Sequence, residues 1–539
     1  MRHGSAAWKG VVFESHEDAK RGRWIHPLAA PQQARALHSK TPCARVRAGT
    51  VALIVAPRFG TKDAFMSIRW TFLLFSAVAA QGVLGAAKEA ADRPIARWHA
   101  VGGQALREQA AVPQLKAALS HPDAAGVGGR VATNMARFVV QRMAGAEDAA
   151  RASRLVPLVE AILDHESLGE VTRHGWHVAV RVPPAVAARM AEAAASLRVA
   201  GAPPTLSTNG WFLAASDAPG LARAWKETGR PVAGFVSAEL DLPRVLGTGH
   251  DAWPFLKASL FPSNGVVRTA ASLSFAAPPL AEPGPWKIPD GAIRDPIIRF
   301  QAIRGAAPLV EKVGWMATLA GGAAPSQLFG WAQPKNLFRN WVAFPVEKPA
   351  ARLAKVESDI RPLFAESAGG PRYEGRLVMA TNNSALAVLG LKACQPALLP
   401  YQQDGQQYLI ASLTPPMVST NPLPAELVAQ VHRPALVAYE WEIAGESFLH
   451  WNVAFDFNKM AQRLAPFPAR ALARRWFMNI APDLGNAVTE VLRVSPTEYT
   501  FLRKSDIGLD GLEMTLLSRW IDAPHGLHAR PGALPPLPK

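Results

Sequence analysis

Histidines that stand near other histidines or acids are the residues of this sequence with the most obvious chemical potential. His174 and His177 are three positions apart. At the start of a predicted strand this spacing turns the two rings to opposite faces, so a shared metal would need a bent backbone. His250, next to Asp251, would form an acid–base pair only if a serine approached in space. We interpret these three as surface or hydrogen-bonded side chains, and His165 as a cation favoured at the end of a helix.

Closely spaced carboxylates are the second candidates. Glu440 and Glu442 flank Trp441 and project from one side of a predicted strand, which suits general acid–base chemistry or a cation site. A solvated strand face accounts for the same spacing, and we favour that interpretation. Asp506 and Asp510 fall in a predicted turn, where such residues are common.

Recognised signatures of catalysis do not occur in the sequence. There is no G-x-x-x-x-G-K phosphate loop, no H-E-x-x-H zinc motif, no G-x-S-x-G elbow and no calcium loop. The glycines of residues 247–251 lack a third partner at the required spacing and indicate a flexible turn rather than an anion cradle. Cys43 precedes the export segment described next, which leaves Cys394 alone and predicted to be buried. The sequence assigns no catalytic, cofactor-binding or metal-binding residue and predicts no cofactor.

A short apolar segment indicates export. Arg69 precedes an apolar run over residues 70–80, and small residues follow it up to Ala87. This order is typical of a secretory signal, so we predict a signal peptide over residues 66–87, cleaved after Gly85 or Ala87. The alternatives are an uncleaved membrane anchor, since the run approaches the length that spans a bilayer, and a buried core helix.

The segment before the signal differs in composition. Residues 1–65 hold eleven Lys or Arg against four acids and have no sustained helical or strand period. We predict that they are a disordered upstream extension and that translation starts at Met66; a basic arm or transit peptide is the alternative. Removing this excess of seven charges from the net charge of +16 leaves +9 over the remaining residues. The basic residues left are not clustered with aromatics, which argues against nucleic acid binding.

Hydrophobic periodicity predicts helices first and then a mixture of strands and helices. Residues 106–119, 131–143 and 155–163 have helical spacing, whereas residues 176–182 alternate as a strand. A helix over 185–197 follows. Further strands are predicted at 210–215, 232–240 and 266–275, with a helix capped by Ser216 or Asp217 between the first two.

The second half of the chain repeats this order. Residues 341–346 resemble 176–182, and a helix over 349–364 has proline in its first turn, as the helix over 185–197 does. Residues 376–389 echo 210–224 as strand, cap and helix, and residues 433–442 echo 230–239. Three closing strands are predicted at 488–494, 498–504 and 512–520. We predict an α+β fold: a duplicated unit of antiparallel sheet with packed helices, preceded by a small helical segment.

The predicted organisation has seven parts. They are an upstream extension (1–65), a signal peptide (66–87), a helical segment (88–170), a first α+β unit (171–290), a bridging segment (291–334), a second α+β unit (335–522) with a helical insertion (448–484), and a disordered Pro-rich tail (523–539).

Function is less constrained than architecture. The architecture looks like that of exported bacterial proteins with duplicated α+β units, a resemblance that implies no activity. We predict a periplasmic or extracellular, non-catalytic protein that binds or scaffolds at the cell envelope, with an envelope component or an apolar ligand as partner and no nucleic acid. Tryptophans beside the predicted strands would line an apolar groove or, as we favour, pack in the core. The alternatives are a hydrolase whose site is assembled from distant residues, and an envelope assembly factor attached to the membrane by its uncleaved signal.

Overall fold

Antiparallel strand pairing organises the whole described part of the chain. The computed structural model describes residues 93–523, and all of them lie within one compact unit. The gaps are residues 145–147, 196–203, 247–252, 313–315, 317–318, 321, 335–337, 365, 368–369, 372–375, 381–383, 391–393, 415–420, 462–465 and 469.

The strands are β1 (Ala96–Ala100), β2 (Ser167–Val171), β3 (Trp176–Arg181), β4 (Thr205–Thr208), β5 (Trp211–Ala215), β6 (Val236–Asp241), β7 (Phe255–Ser263), β8 (Val266–Ser274), β9 (Arg299–Arg304), β10 (Gln327–Ala332), β11 (Asn340–Val346), β12 (Glu366–Ser367), β13 (Gly370–Pro371), β14 (Arg376–Met379), β15 (Leu386–Leu389), β16 (Ala397–Gln403), β17 (Gln406–Ser412), β18 (Leu436–Ile443), β19 (Asn486–Arg493) and β20 (Glu498–Ser505). Eighteen of them form one sheet, and β12 pairs with β13 in a separate hairpin.

The helices are α1 (Gly103–Glu108), α2 (Pro113–Ser120), α3 (Ala124–Ala144), α4 (Ala149–Asp164), α5 (Pro184–Ala195), α6 (Ala218–Glu227), α7 (Leu242–Leu246), α8 (Ala307–Lys312), α9 (Pro349–Phe364), α10 (Ala425–Val431), α11 (Ala444–Ala461), α12 (Leu472–Ile480) and α13 (Gly511–Asp522), with a 3-10 turn at Ala481–Asp483.

Every pairing in the large sheet is antiparallel. The strands lie side by side in the order β4, β5, β3, β2, β1, β6, β7, β8, β20, β19, β18, β9, β10, β11, β17, β16, β15, β14. The last strand of the first half of the chain therefore meets the last strand of the second half in the middle of the sheet, where β8 pairs with β20. The α+β class predicted from the sequence is confirmed at this level.

Both faces of the sheet carry packed helices. Alternate residues of a strand point to opposite faces, so we call the face that carries Arg97 and Phe300 the front and the face that carries Trp98 and Ile303 the back. On the back, α3, α4 and α5 pack on β3 and β5, and α8 and α9 pack on the second half of the sheet. On the front, α6 covers part of the first half, whereas α10 and residues 286–297 cover the second half.

Local sequence signals explain several helix starts. The side chain of Asp217 accepts a hydrogen bond from the backbone of Gly220 at 2.6 Å, so it caps α6 as predicted. Pro184 and Pro349 open α5 and α9, where the missing amide hydrogen costs nothing. These helices lie where the periodicity placed them, because capping and amphipathic spacing are local properties.

Four predicted stretches have different structures. Residues 88–170 contain helices, but β1 and β2 lie near their two ends, and the bridging segment 291–334 contributes β9 and β10. Residues 376–389 form β14 and β15 rather than a strand and a helix, since a four-residue apolar run has no period of its own. Residues 512–520 belong to α13, whose capping box between Asp510 and Glu513 marks a helix start.

Close packing between β1 and β2 yields a test of the register. Gly169 lies opposite Trp98, and a Cβ atom at residue 169 would lie 2.3 Å from a carbon of the indole ring. We expect Gly169→Ala to lower the free energy of unfolding by about 1–3 kcal/mol, because a packed core resists an added methyl group. Chemical denaturation of the purified protein measures this.

The matched control is Gly128→Ala in α3, where no atom lies within 4 Å of the added methyl group. That change should stabilise the protein by up to about 1 kcal/mol through helix propensity. Equal effects of the two substitutions would contradict the register between β1 and β2.

Candidate functional site: a polar groove on the front face

A groove of about 520 Å³ opens on the front of the sheet. Its floor is formed by β1, β6, β7 and β8, and its wall by the end of α6 and the loop that follows. The lining residues are Arg97, Trp98, His99, Leu168, Glu227, Arg230, Pro231, Ala233, Ser237, Ala238, Glu239, Lys257, Ala258, Ser259, Ala270, Ala271, Ser272 and Thr500. The side chains of Trp98, Ala238, Ala258 and Ala271 point to the back, whereas the front-facing Ser237, Ser259, Ala270 and Ser272 leave space because they are small.

A row of alternating charges crosses the floor and continues beneath α6. In successive strands His177 lies opposite Glu170, Glu170 opposite Arg97, Arg97 opposite Glu239, and Glu239 opposite Lys257. Arg97 Nε donates to Glu170 Oε2 at 2.7 Å, and Lys257 Nζ lies 3.0 Å from Glu239 Oε1. Opposite charges on directly paired positions stabilise a sheet. The row therefore gives the groove a floor of fixed, largely neutralised charges.

The end of the row is anchored to α6. His177 is buried, and its Nε2 lies 3.1 Å from Glu227 Oε2 near the end of that helix. The hydrogen bond with His177 lowers the pKa of Glu227 below its ordinary value, although burial acts in the opposite direction. Glu227 thus remains charged and holds α6 at the rim of the groove. His174 lies in the preceding turn and is exposed, so the two histidines do not share a site.

A second row places small residues beside His99. His99 lies opposite Ser237, which lies opposite Ser259, which lies opposite Ala270. His99 Nε2 is 3.4 Å from Glu166 Oε1, and Arg181 donates to the other oxygen of Glu166 at 3.2 Å. Within the described ranges no hydrogen bond joins His99 to a serine hydroxyl. A serine, a histidine and a carboxylate are thus neighbours without the contact that activates a nucleophile.

The groove residues were not predicted as site residues. Arg97 and His99 belong to a five-residue strand, and β7, which carries Lys257 and Ser259, has a weak alternation that predicted no strand. Their proximity arises from pairing among β1, β6 and β7, which local patterns do not encode. The Arg230–Glu239 stretch was recognised, but as part of a repeat and not as a wall of a site.

The predicted solvent-facing position of Glu440 and Glu442 is wrong. The two side chains do share one face of β18, but both are buried, at 3% and 0% exposure. Gln301 Nε2 donates to Glu440 at 2.6 Å, and the backbone of Gly511 donates to Glu442 at 2.5 Å. The start of α13 covers this part of the back face, so hydrogen bonds within the protein replace water.

Further carboxylates gather around the same helix start. Asp510 caps α13, and its side chain accepts a hydrogen bond from the backbone amide of Glu513 at 2.8 Å. Arg503 Nη2 donates to Asp510 at 2.9 Å, Arg503 also contacts Glu513, and its Nε donates to Thr489 at 2.9 Å. Burial of the carboxyl group raises the pKa of Glu513 to about 7, and the negative charge of Asp510 adds to this effect while Arg503 opposes it. These contacts attach α13 to the sheet.

Other candidates from the sequence have structural roles or lie elsewhere. Trp331 and Trp341 stack in the core with ring centroids 6.0 Å apart, as core packing predicts. Cys394 is half-buried rather than fully buried as predicted, and this burial raises the pKa of its thiol to about 11, which keeps the thiol protonated near neutral pH. Asp506 accepts a backbone hydrogen bond from Gly485 at 2.6 Å. Residues 247–251, the predicted upstream extension (1–65) and the predicted signal peptide (66–87) lie outside the described residues.

The raised pKa of Glu513 predicts how stability depends on pH. The folded protein holds this proton more tightly than the unfolded chain, so the contribution is complete below pH about 4 and is lost as the pH rises through about 7. We expect the unfolding free energy of the unmodified protein to fall by about 1–3 kcal/mol between pH 5 and 8. The Glu513→Gln variant should not show this fall. Urea denaturation across this range measures the difference.

The control for this test is Glu498→Gln on β20, where the side chain is exposed. Its pH dependence should match that of the unmodified protein. An unchanged slope in Glu513→Gln would show that Arg503 already holds Glu513 charged in the folded state.

Neither a metal site, a membrane span nor a related protein indicates a function for the described part of the chain. Within the described part of the chain, no group of three or more His, Cys, Asp or Glu side chains is arranged to hold a metal ion. No helix among the described residues has the length and apolar character needed to cross a bilayer. No protein-family model matches the chain, no curated protein matches it, and no solved structure matches it.

Proposed function

We propose that this chain is a non-catalytic binding protein and that the groove on the front face takes its ligand. The observation that carries the proposal is an open space of about 520 Å³ with a floor of small side chains and paired charges. Sites for small molecules have volumes of this order and place a few polar groups among apolar surface. The hydroxyl groups of Ser237, Ser259 and Thr500 supply such polar groups here.

Rigidity of the floor supports binding. Arg97 and Lys257 are each held by a glutamate on a neighbouring strand, Glu170 and Glu239 respectively. The charges therefore need little rearrangement when a ligand arrives, and an ordered site loses less entropy on binding.

A hydrolase is the second candidate, and one contact favours it. His99 and Glu166 lie 3.4 Å apart, and Ser237 occupies the strand position opposite His99. General base catalysis needs a hydrogen bond between the nucleophile and the base. None is formed between His99 and a serine within the described ranges, so binding accounts better for this arrangement.

We further propose that the sheet consists of two copies of one unit. Outward from the β8–β20 pair, the first half runs β8, β7, β6, β1, β2, β3, β5, β4, and the second half runs β20, β19, β18, β9, β10, β11, β17, β16. The two orders correspond strand for strand along the chain, and β14 and β15 extend the second half. This supports unit boundaries near residues 96–274 and 299–505, which differ from those predicted from the sequence.

Small features of the register support the same duplication. Gly169 pairs with Trp98 and Val178 in the first half, and Gly330 pairs with Gln301 and Val342 in the second. After the first strand of each unit, Gly102 and Gly305 both have positive φ, which favours glycine. When these equivalent positions of the two halves are matched, Ala270 of β8 corresponds to Leu502 of β20. The local twofold axis therefore passes through this pair in the middle of the sheet.

We propose that the protein works outside the cytoplasm, at the cell envelope, on the strength of the apolar segment over residues 66–87. N-terminal sequencing of the native protein should give a start at residue 86 or 88. A peptide from residues 1–60 would overturn this proposal, whereas extraction only in detergent would favour the membrane-attached alternative.

Filling the groove tests the proposed binding function. Ser259→Phe places a ring on the floor, at a position that faces the groove, so the fold should be retained while ligands are excluded. We would screen four probe classes by saturation-transfer NMR: neutral sugars, carboxylates, phosphate esters and amines. At least one class should bind the unmodified protein and lose at least about tenfold in affinity in the variant.

The matched control is Ser207→Phe, an exposed strand position outside the groove, which should bind as the unmodified protein does. If none of the classes binds, or if both variants bind equally well, the groove is not a ligand site. Turnover of an ester probe that is lost in Ser237→Ala would instead support the hydrolase.

A further inference from the structure

The row of residues beside the local twofold axis differs sharply between the two halves of the sheet. Outward from Ala270 the first half has Ser259 and then Ser237. Outward from Leu502 the second half has Glu490 and then Tyr439. Two serines in one half therefore occupy the positions that a carboxylate and a phenol ring occupy in the other.

The second half uses this ring and this carboxylate to close its own front face. Tyr439 is 2% exposed and packs against Phe300 with ring centroids 6.3 Å apart. Glu490 forms an ion pair with Arg433, which stands in the loop between α10 and β18. The counterpart of the groove is thus filled from within the chain.

The first half has an arginine equivalent to Arg433 but has neither the carboxylate nor the aromatic ring of the second half. Arg230 and Pro231 stand in the loop between α6 and β6, as Arg433 and Pro434 stand before β18. Arg230 is exposed, lines the groove and forms no ion pair within 4 Å in the part of the chain that the structure describes. Its neighbour Glu227 is already bound by His177.

We infer that the groove binds a ligand with a ring-sized apolar body and a carboxylate. The body would lie over Ser237, in the space that Tyr439 fills in the other half. The carboxylate would pair with Arg230, because the other two cations of the groove, Arg97 and Lys257, already contact glutamates. Arginine binds carboxylates through two parallel hydrogen bonds. This inference rests on the proposed binding function and on the proposed duplication.

Matched acid and amide probes test the ligand class. We would titrate indole-3-acetate and 2-naphthoate, their neutral amides, and acetate as an acid without a ring, by calorimetry on the full chain. The ring acids should bind at least about tenfold more tightly than their amides and than acetate. Arg230→Gln should reduce the affinity for the ring acids to that of the amides, while Arg223→Gln, an exposed arginine of α6 outside the groove, should leave it unchanged.

A second variant gives the open first half the ring and the carboxylate that close the front face of the second half. Ser237→Tyr combined with Ser259→Glu gives the groove its own ring and its own partner for Arg230. This double variant should lose binding of the ring acids and retain a cooperative unfolding transition. Retained binding in the double variant would overturn the inference.

The outcomes separate the ligand class from the binding function. If amines, sugars or phosphate esters bind and Ser259→Phe blocks them while ring acids do not bind, the groove is a ligand site and the class is wrong. Equal binding of acids and amides, or of acetate and the ring acids, also rejects the class. If no probe of any kind binds in the groove, the proposed function itself fails.

Discussion

Pairing between β8 and β20 is the constraint on which the rest of the structure depends. These strands lie far apart in sequence, yet their residues pair continuously from Ser274 opposite Glu498 to Val267 opposite Ser505. This register decides which face of the first half continues into which face of the second, because a slip of one residue would exchange the two faces of one half relative to the other. It therefore places the groove of the first half and the covered front of the second half on the same face of the sheet.

The two faces of the central strands show how strongly this register matters. On β20 Arg503 points to the back and is buried among Thr489, Asp510 and Glu513, whereas its neighbour Lys504 points to the front and is exposed. Burying several ionisable groups is expensive unless each has a partner. The cap of α13 supplies these partners, so the helix and the sheet stabilise each other.

Local signals in the sequence predicted the elements, and long-range pairing determined the site. The caps of α6 and the proline-led helices α5 and α9 were predictable, because a helix start depends on neighbours within a few residues. The α+β class followed from the same patterns. The groove was not predictable, since Arg97 meets Glu239 only through pairing across more than one hundred residues, and the nearer strand that carries Lys257 showed too weak an alternation. For the same reason the sequence placed Glu440 and Glu442 at the surface, because nothing near them in sequence indicates that α13 covers them.

Chain connectivity explains why one half of the sheet remains open. Residues 286–297 follow β8 and pack on the front of the second half together with α10, where they meet Phe329, Trp331 and Trp341. In the first half α6 packs on Leu168, Ala179 and Leu213, which lie on β2, β3 and β5. The front of β1, β6 and β7 lies beyond that helix; its middle carries charged or small side chains, whereas Phe255 and Phe261 lie on the same face towards the two ends of β7. A sheet face that is left uncovered must interact favourably with water, and paired charges and serines satisfy this requirement while leaving room for a ligand.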